Sequence, residues 1–173
     1  QKKETFNNKK DIDELNPDIN NVFLFWEGDI NDNRLDILKT SIKSIKYYNK
    51  DKKLYLFSNS LKKDKRLNEL KDDCKIVSYE FEDLVKDTPI ENKEDVKKVY
   101  KGNMKDGRLF SDFFRFLILY KYGGSYTDND NICFKEFPKE NNILCRAYDP
   151  HTNFYDKISD EESIDGKYKY NNK

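Results

Sequence analysis

The chain of 173 residues has one histidine, one methionine, three cysteines and no net charge. His151 stands alone in a polar stretch, where an exposed loop residue is the plain reading. Cys74, Cys133 and Cys145 lack the paired spacing of a zinc site. Cys133 and Cys145 are a possible disulfide in an oxidising compartment, and three free thiols fit equally well. Lys+Arg 33 and Asp+Glu 33 cancel, which argues against non-specific nucleic-acid binding. The lysine pairs Lys62-Lys63 and Lys97-Lys98 are interleaved with acids and read as solvated helix faces. No apolar run reaches the roughly 18 to 20 residues of a membrane span, and no signal-peptide pattern opens the chain. Beginning at Gln1 rather than Met, it reads as a fragment whose targeting segment is missing.

Charged residues make up 38% and hydrophobic ones 36%, a ratio that would favour disorder if one sign prevailed. The signs balance, and an aromatic fraction of 14% supplies core volume for one domain. The surplus of Lys and Asn reads as a coding bias.

Residues 1–16 are polar and lysine-rich, as in a tail or stem. Residues 21–27 (NVFLFWE) form a continuous apolar run, expected of a strand buried on both faces. Residues 34–48 carry Leu35, Ile37, Leu38, Ile42 and Ile45 at helical spacing. KLYLF (53–57) predicts a second strand, 61–70 a weak helix, and KIVSYEF (75–81) a third strand. This β-α-β-α-β order predicts an α/β fold with a mostly parallel sheet flanked by helices. Residues 83–104 suggest a short helix and a surface loop. A helix over 110–122 follows, with Ser111 as its N-cap and Gly123-Gly124 at its end. Residues 125–127 predict a short strand and 131–137 another. Beyond Pro138 the pattern weakens, and residues 151–173 read as an incomplete or poorly ordered segment.

The segment 108–130, RLFSDFFRFLILYKYGGSYTDND, carries the chemistry. An apolar helix bears Asp112 and Arg115, and a glycine pair leads to Asp128 and Asp130. Buried charge is costly unless paired or bound, so this concentration points to a site. Two carboxylates at i and i+2 on a strand share a face. Hard oxygen ligands suit Mg²⁺ or Mn²⁺. Two of them leave positions for water and a substrate phosphate, at the end of the strand where open α/β sheets bind ligands. An isolated Asp-X-Asp is most often an exposed turn. The glycines, which permit close approach, and the Asp112/Arg115 pair raise it above that.

Asp112 and Arg115, spaced i and i+3, share a helix face with Arg108. Two readings fit: an internal salt bridge, or a clamp in which Asp112 accepts from sugar hydroxyls and Arg115 holds a hydroxyl or phosphate oxygen. Trp26, the only tryptophan, is either a core aromatic or a flat platform for a nucleobase.

The segments VFLFWEGD, LKTSIKSIKYYN, KLYLFSNS, DTPIE and above all SDFFRFLILYKYGGSYTDND resemble the DXD-containing sugar-transfer glycosyltransferases. That group includes α1,4-galactosyl and α1,4-N-acetylglucosaminyl transferases, Golgi mannosyltransferases of yeast, bacterial capsule enzymes and the large clostridial glucosylating toxins. The likeness covers about residues 17–150, and its S-D-x-x-R…Y-G-G-x-Y-x-D-x-D pattern fixes two charged pairs and the glycines in order and spacing. It implies a GT-A fold with a nucleotide-sugar-binding core over 17–150, a nucleotide-sugar donor, most often UDP-linked, and a Mn²⁺- (or Mg²⁺-) dependent retaining transfer of a hexose. It also implies roles for matching residues. Trp26 stacks on the base; Asp112 and Arg115 hold ribose and sugar; Tyr126 lines the donor pocket. Asp128 contacts ribose or sugar and assists the metal, and Asp130 ligates it. No catalytic residue is carried over. The acceptor is a glycan, glycolipid or protein, and the resemblance favours a Golgi-like lumen or secretion. Thr127 stands where the family often has a hydrophobic residue, and Asn131 where it tends to have a short aliphatic run. After Pro150 no further family segment is recognisable, so the C-terminal part of the fold is expected to be incomplete.

Two other functions compete with an active transferase. One is a catalytically inactive transferase-like module that binds a nucleotide or a partner. The other is a metal-dependent phosphohydrolase, for which only His151 and Asp149 offer themselves, without a motif.

Overall fold

The computed structural model describes residues 11–102 and 107–138. The chain divides into two units, Gln1–Glu136 and Phe137–Lys173. All elements below belong to the first, and the second falls almost wholly outside the described residues.

Four parallel strands form the sheet: β1 (Asn21–Phe25), β2 (Lys53–Phe57), β3 (Cys74–Val77) and β4 (Ser125–Tyr126), in the order β3-β2-β1-β4. Four helices accompany them: α1 (Asp32–Tyr48), α2 (Phe81–Val85), α3 (Glu94–Gly102) and α4 (Gly107–Tyr122). Two 3₁₀ turns, Asp11–Glu14 and Lys65–Leu70, complete the set among the described residues. The expected α/β architecture with a parallel, helix-flanked sheet is what forms. Among the described residues no helix is long and apolar enough to cross a membrane.

The strand sequences explain the layering. All five residues of β1 are buried, as its unbroken apolar run requires of a central strand. Phe23, Phe25 and Phe57 face one side and join Tyr79, Phe81, Phe110, Phe114 and Ile118 in an aromatic core. Val22, Leu24, Leu54 and Leu56 alternate with them toward the other side, where α1, the crossover from β1 to β2, buries Leu35, Leu38, Ile42 and Ile45. Asn31 caps α1, its side chain accepting from the Arg34 amide at 2.9 Å.

Several expectations are corrected. Ile12 and Leu15 are 3% and 8% exposed and belong to the core, so the polar tail expected over 1–16 already contributes packing at its end. The third strand stops at Val77, because the backbone of Tyr79 is engaged by a side chain: Asn59 Nδ2 donates to Tyr79 O (2.9 Å) and Tyr79 N to Asn59 Oδ1 (3.1 Å). Phe81 opens α2 instead. The segment 61–70 closes as a 3₁₀ turn at its C-terminal end. Helix α4 begins at Gly107, so Ser111 lies inside it and is not its N-cap. Residues 131–137 form no strand; Cys133 N donates to Ser44 Oγ on α1 (2.9 Å), while Ile132 and Phe134 are exposed. Cys133 Sγ donates to Lys135 O, and its pairing with Cys145 falls outside the described residues, as do Asp149 and His151.

Candidate functional site

The strand order sets the location. From β1 the chain steps outward to β2 and β3, then returns through α4 to place β4 on the other edge of β1. The reversal between β1 and β4 is the topological switch point, where open α/β sheets hold ligands beyond the carboxyl ends of their strands. Trp26 follows β1 there, and the Asp128-Asn129-Asp130 turn follows β4.

Two glycines make the approach possible. Gly123 and Gly124 have φ of +62° and +79°, a region open to glycine at little cost. Gly123 N bonds Leu119 O at 2.9 Å, closing α4. A Cβ on Gly124 would lie 2.3 Å from Asn21 O, so only glycine lets the chain pass β1 closely enough to pair. β4 then pairs Ser125 with Val22 and Tyr126 with Phe23.

The acidic pair stands beyond the strand rather than on it. β4 ends at Tyr126, and residues 128–131 form a turn in which Asn131 N approaches Asp128 O at 3.4 Å. The alternation of a strand therefore does not aim these carboxylates; the turn does. Asp128 and Asp130 are both exposed.

Helix α4 brings its charged pair to the same place. Arg115 Nη2 donates to Asp112 Oδ1 at 2.7 Å and to Asp128 Oδ1 at 3.4 Å. The guanidinium carbon lies 4.9 Å from the centre of the Tyr126 ring, within cation–π range. Burial, reinforced by the Asp128 carboxylate, pushes the Tyr126 phenol above its ordinary range, against Arg115 and a hydrogen bond with Ser111. The internal salt bridge and the shared site thus coexist. The charges are less buried than an all-round apolar helix implies: side-chain exposure is 66% for Asp112, 31% for Arg115 and 49% for Asp128. The side chain of Arg108 lies outside the described part of the structure.

Trp26 sits at the carboxyl end of β1, its amide bonded to Phe57 O (3.0 Å) and its indole Nε1 to Gly28 O (3.1 Å), with the ring half-buried. The structure therefore joins Asp112, Arg115, Tyr126 and Asp128 by direct contact, and sets Trp26 and Asp130 at the same end of the sheet.

Three residues passed over in the sequence also shape this end. Glu27 accepts from the amides of Asn59 (2.8 Å) and Ser60 (3.2 Å), tying the loop after β2 to β1. Asn59 ties that loop to Tyr79. Asn129 Nδ2 donates to Phe25 O at 2.8 Å. The only sequence cue to these was position: Glu27 and Asn59 are polar residues just past the end of an apolar run, and Asn129 stands between the two carboxylates. Among the described residues no group of three or more His, Cys, Asp or Glu is placed to hold a metal ion.

A parallel sheet with an exposed Asp-X-Asp turn and an adjoining Asp/Arg pair at its switch point has the architecture of ligand-binding open α/β proteins. The family model for the glycosyltransferase sugar-binding region containing a DXD motif matches residues 36–149, and the chain belongs to that family. Among solved structures, the chain is similar to one described as "PaToxG Glycosyltransferase", with 20% identity and a TM-score of 0.47. The match covers 72% of this chain and 46% of that one, so the chain spans less than half of its length. No curated protein matches the chain.

Proposed function

We propose that this chain forms the nucleotide-sugar-binding core of a glycosyltransferase. In this reading it moves a hexose from a nucleotide-sugar donor, UDP-linked, to a glycan, glycolipid or protein acceptor, with a divalent metal and with retention. The observation that carries the proposal is the Asp128–Asp130 turn at the switch point, exposed and touched by Arg115.

The residues fit Mn²⁺ or Mg²⁺ by donor type. Asp128 and Asp130 offer hard carboxylate oxygens and would hold the metal; no group of three or more His, Cys, Asp or Glu among the described residues is placed to do so. When bound, the metal neutralises charge on the diphosphate leaving group. The chain's own residues do the rest. Trp26 offers its half-buried ring to the base. Asp112 accepts hydrogen bonds from ribose or sugar hydroxyls, and Arg115 donates to oxygens beside Asp128. Tyr126, held protonated by its surroundings, lines the pocket.

Mn²⁺ and UDP together are expected to raise the melting temperature by mass action on the native state, and Asp130→Ala is expected to abolish the rise. No rise with the wild type across UDP, GDP and ADP would rule out donor binding. Turnover separates the transferase from an inactive binding module: release of sugar from UDP-hexoses supports the enzyme, and binding without release supports the module.

A further inference from the structure

We propose that Asn129, the residue between the two carboxylates, is a positioning residue that aims them. The inference rests on the donor-and-metal reading above. β1 and β4 pair through Val22–Ser125 and Phe23–Tyr126, and Thr127 N donates to Phe23 O at 3.1 Å. In a parallel ladder one strand donates from every second residue. The next rung would be the amide of residue 129 to the carbonyl of Phe25. That carbonyl is occupied instead by the side-chain amide of Asn129, at 2.8 Å. The side chain prolongs the sheet by one rung and releases the backbone to turn. Asn131 braces the turn from its far end, its Nδ2 reaching Thr127 Oγ1 at 3.2 Å. Asp128 and Asp130 thus flank a residue fastened to the end of the central strand. Two exposed carboxylates share an anchor that neither could make, because a carboxylate facing a carbonyl has no proton to donate.

Charge and anchoring make opposite predictions for Asn129→Asp. On charge alone a third acid strengthens cation binding; without the donor the turn comes loose. The experiment measures Mn²⁺ affinity in the presence of UDP by electron paramagnetic resonance, alongside the melting temperature of each metal-free protein. Asn129→Asp and Asn129→Ala are each expected to bind Mn²⁺ about tenfold more weakly, the usual scale for losing a group that orients a ligand. Asn129→Gln, which keeps the amide, is expected to recover part of the loss. Should Asn129→Asp fail to fold, Asn129→Ala carries the same comparison. Affinity equal to or above that of the wild type in Asn129→Asp or Asn129→Ala would overturn the inference while leaving the functional reading intact. A wild type that binds no Mn²⁺ with UDP would overturn both.

Discussion

Arg115 reaches from the middle of α4 to within 3.4 Å of the Asp128 carboxylate, and so couples the helix to the acidic turn. The contact is partly solvated, and half-exposed ion pairs contribute little to stability, about 0 to 1 kcal/mol. The same side chain has its Nε buried without a hydrogen-bond partner, an unfavourable arrangement. The proposed donor-binding role of Arg115 would give that buried Nε a partner.

Arg115→Lys keeps the charge but loses the planar fork, the stacking over Tyr126 and the orphaned Nε. Metal-free stability is expected to change by no more than about 1 kcal/mol in urea unfolding. Calorimetric affinity for UDP with Mn²⁺ is expected to fall at least about tenfold, the cost of one lost charge-assisted hydrogen bond. A large stability loss with unchanged affinity would assign Arg115 to the fold alone.

Gly124 tests the approach of β4 to β1. An alanine there places its Cβ against the Asn21 backbone carbonyl, at 2.3 Å, and requires a positive φ as well. Backbone cannot give way as a flexible side chain does. Gly124→Ala is expected to cost at least about 2 kcal/mol and to displace the acidic turn. Gly123→Ala meets open space and bears only the cost of its φ of +62°. Chemical denaturation of both variants distinguishes clash from conformational strain.

Much of this fold was legible in the sequence, for identifiable reasons. NVFLF is buried throughout and KLYLF at Leu54, Leu56 and Phe57; the second strand falls where its run predicts, and the first ends at Phe25, two residues before its run does. The glycine pair marked the turn before β4 because two consecutive positive φ values leave few other residues. Two of the misreadings share a cause: a side chain standing in for backbone. Tyr79 and Phe81 look like strand residues and are buried, but Asn59 takes the ladder positions of Tyr79. Asn129 continues β1–β4 pairing by its amide, so the acids project from a turn and not from a strand face. Local pattern does not encode which polar side chain will reach a carbonyl 104 residues away. The family pattern records order and spacing of the whole set, and four of its residues, Asp112, Arg115, Tyr126 and Asp128, meet in the fold.

Alkaline pH should expose the buried thiol of β3. Burial pushes Cys74 up to about 12 from an ordinary value of 9.0. Tyr79 and Tyr126 are raised by burial as well. A raised folded pKa stabilises the native state below the unfolded value, and that advantage is lost as pH climbs through the folded one. Stability is therefore expected to decline from about pH 9 toward pH 12. Cys74→Ala should flatten the lower part of that decline, as read by urea midpoints at successive pH values. At pH 8, native alkylation with iodoacetamide should modify the partly exposed Cys133 before the buried Cys74, as read by peptide mapping.

Trp26 offers a direct optical test of the nucleotide end of the site. It is the only tryptophan in the chain, so its emission has a single source. The indole Nε1 donates to Gly28 O at 3.1 Å, and Gly28 has a φ of +93°. The face is half-buried, in a fixed orientation at the carboxyl end of β1. A base stacking on it should quench the emission in proportion to occupancy. Trp26→Ala should weaken UDP binding by about 1 to 3 kcal/mol, the usual worth of a base–aromatic stack. Ribose 5-phosphate, which has no base, separates stacking from phosphate contacts: it should compete weakly and leave the emission unchanged. Quenching by UDP that persists in Asp130→Ala at saturating nucleotide would show that base and metal are held by separable parts of the site. Unchanged emission with every nucleotide, despite binding seen by calorimetry, would place the base away from Trp26.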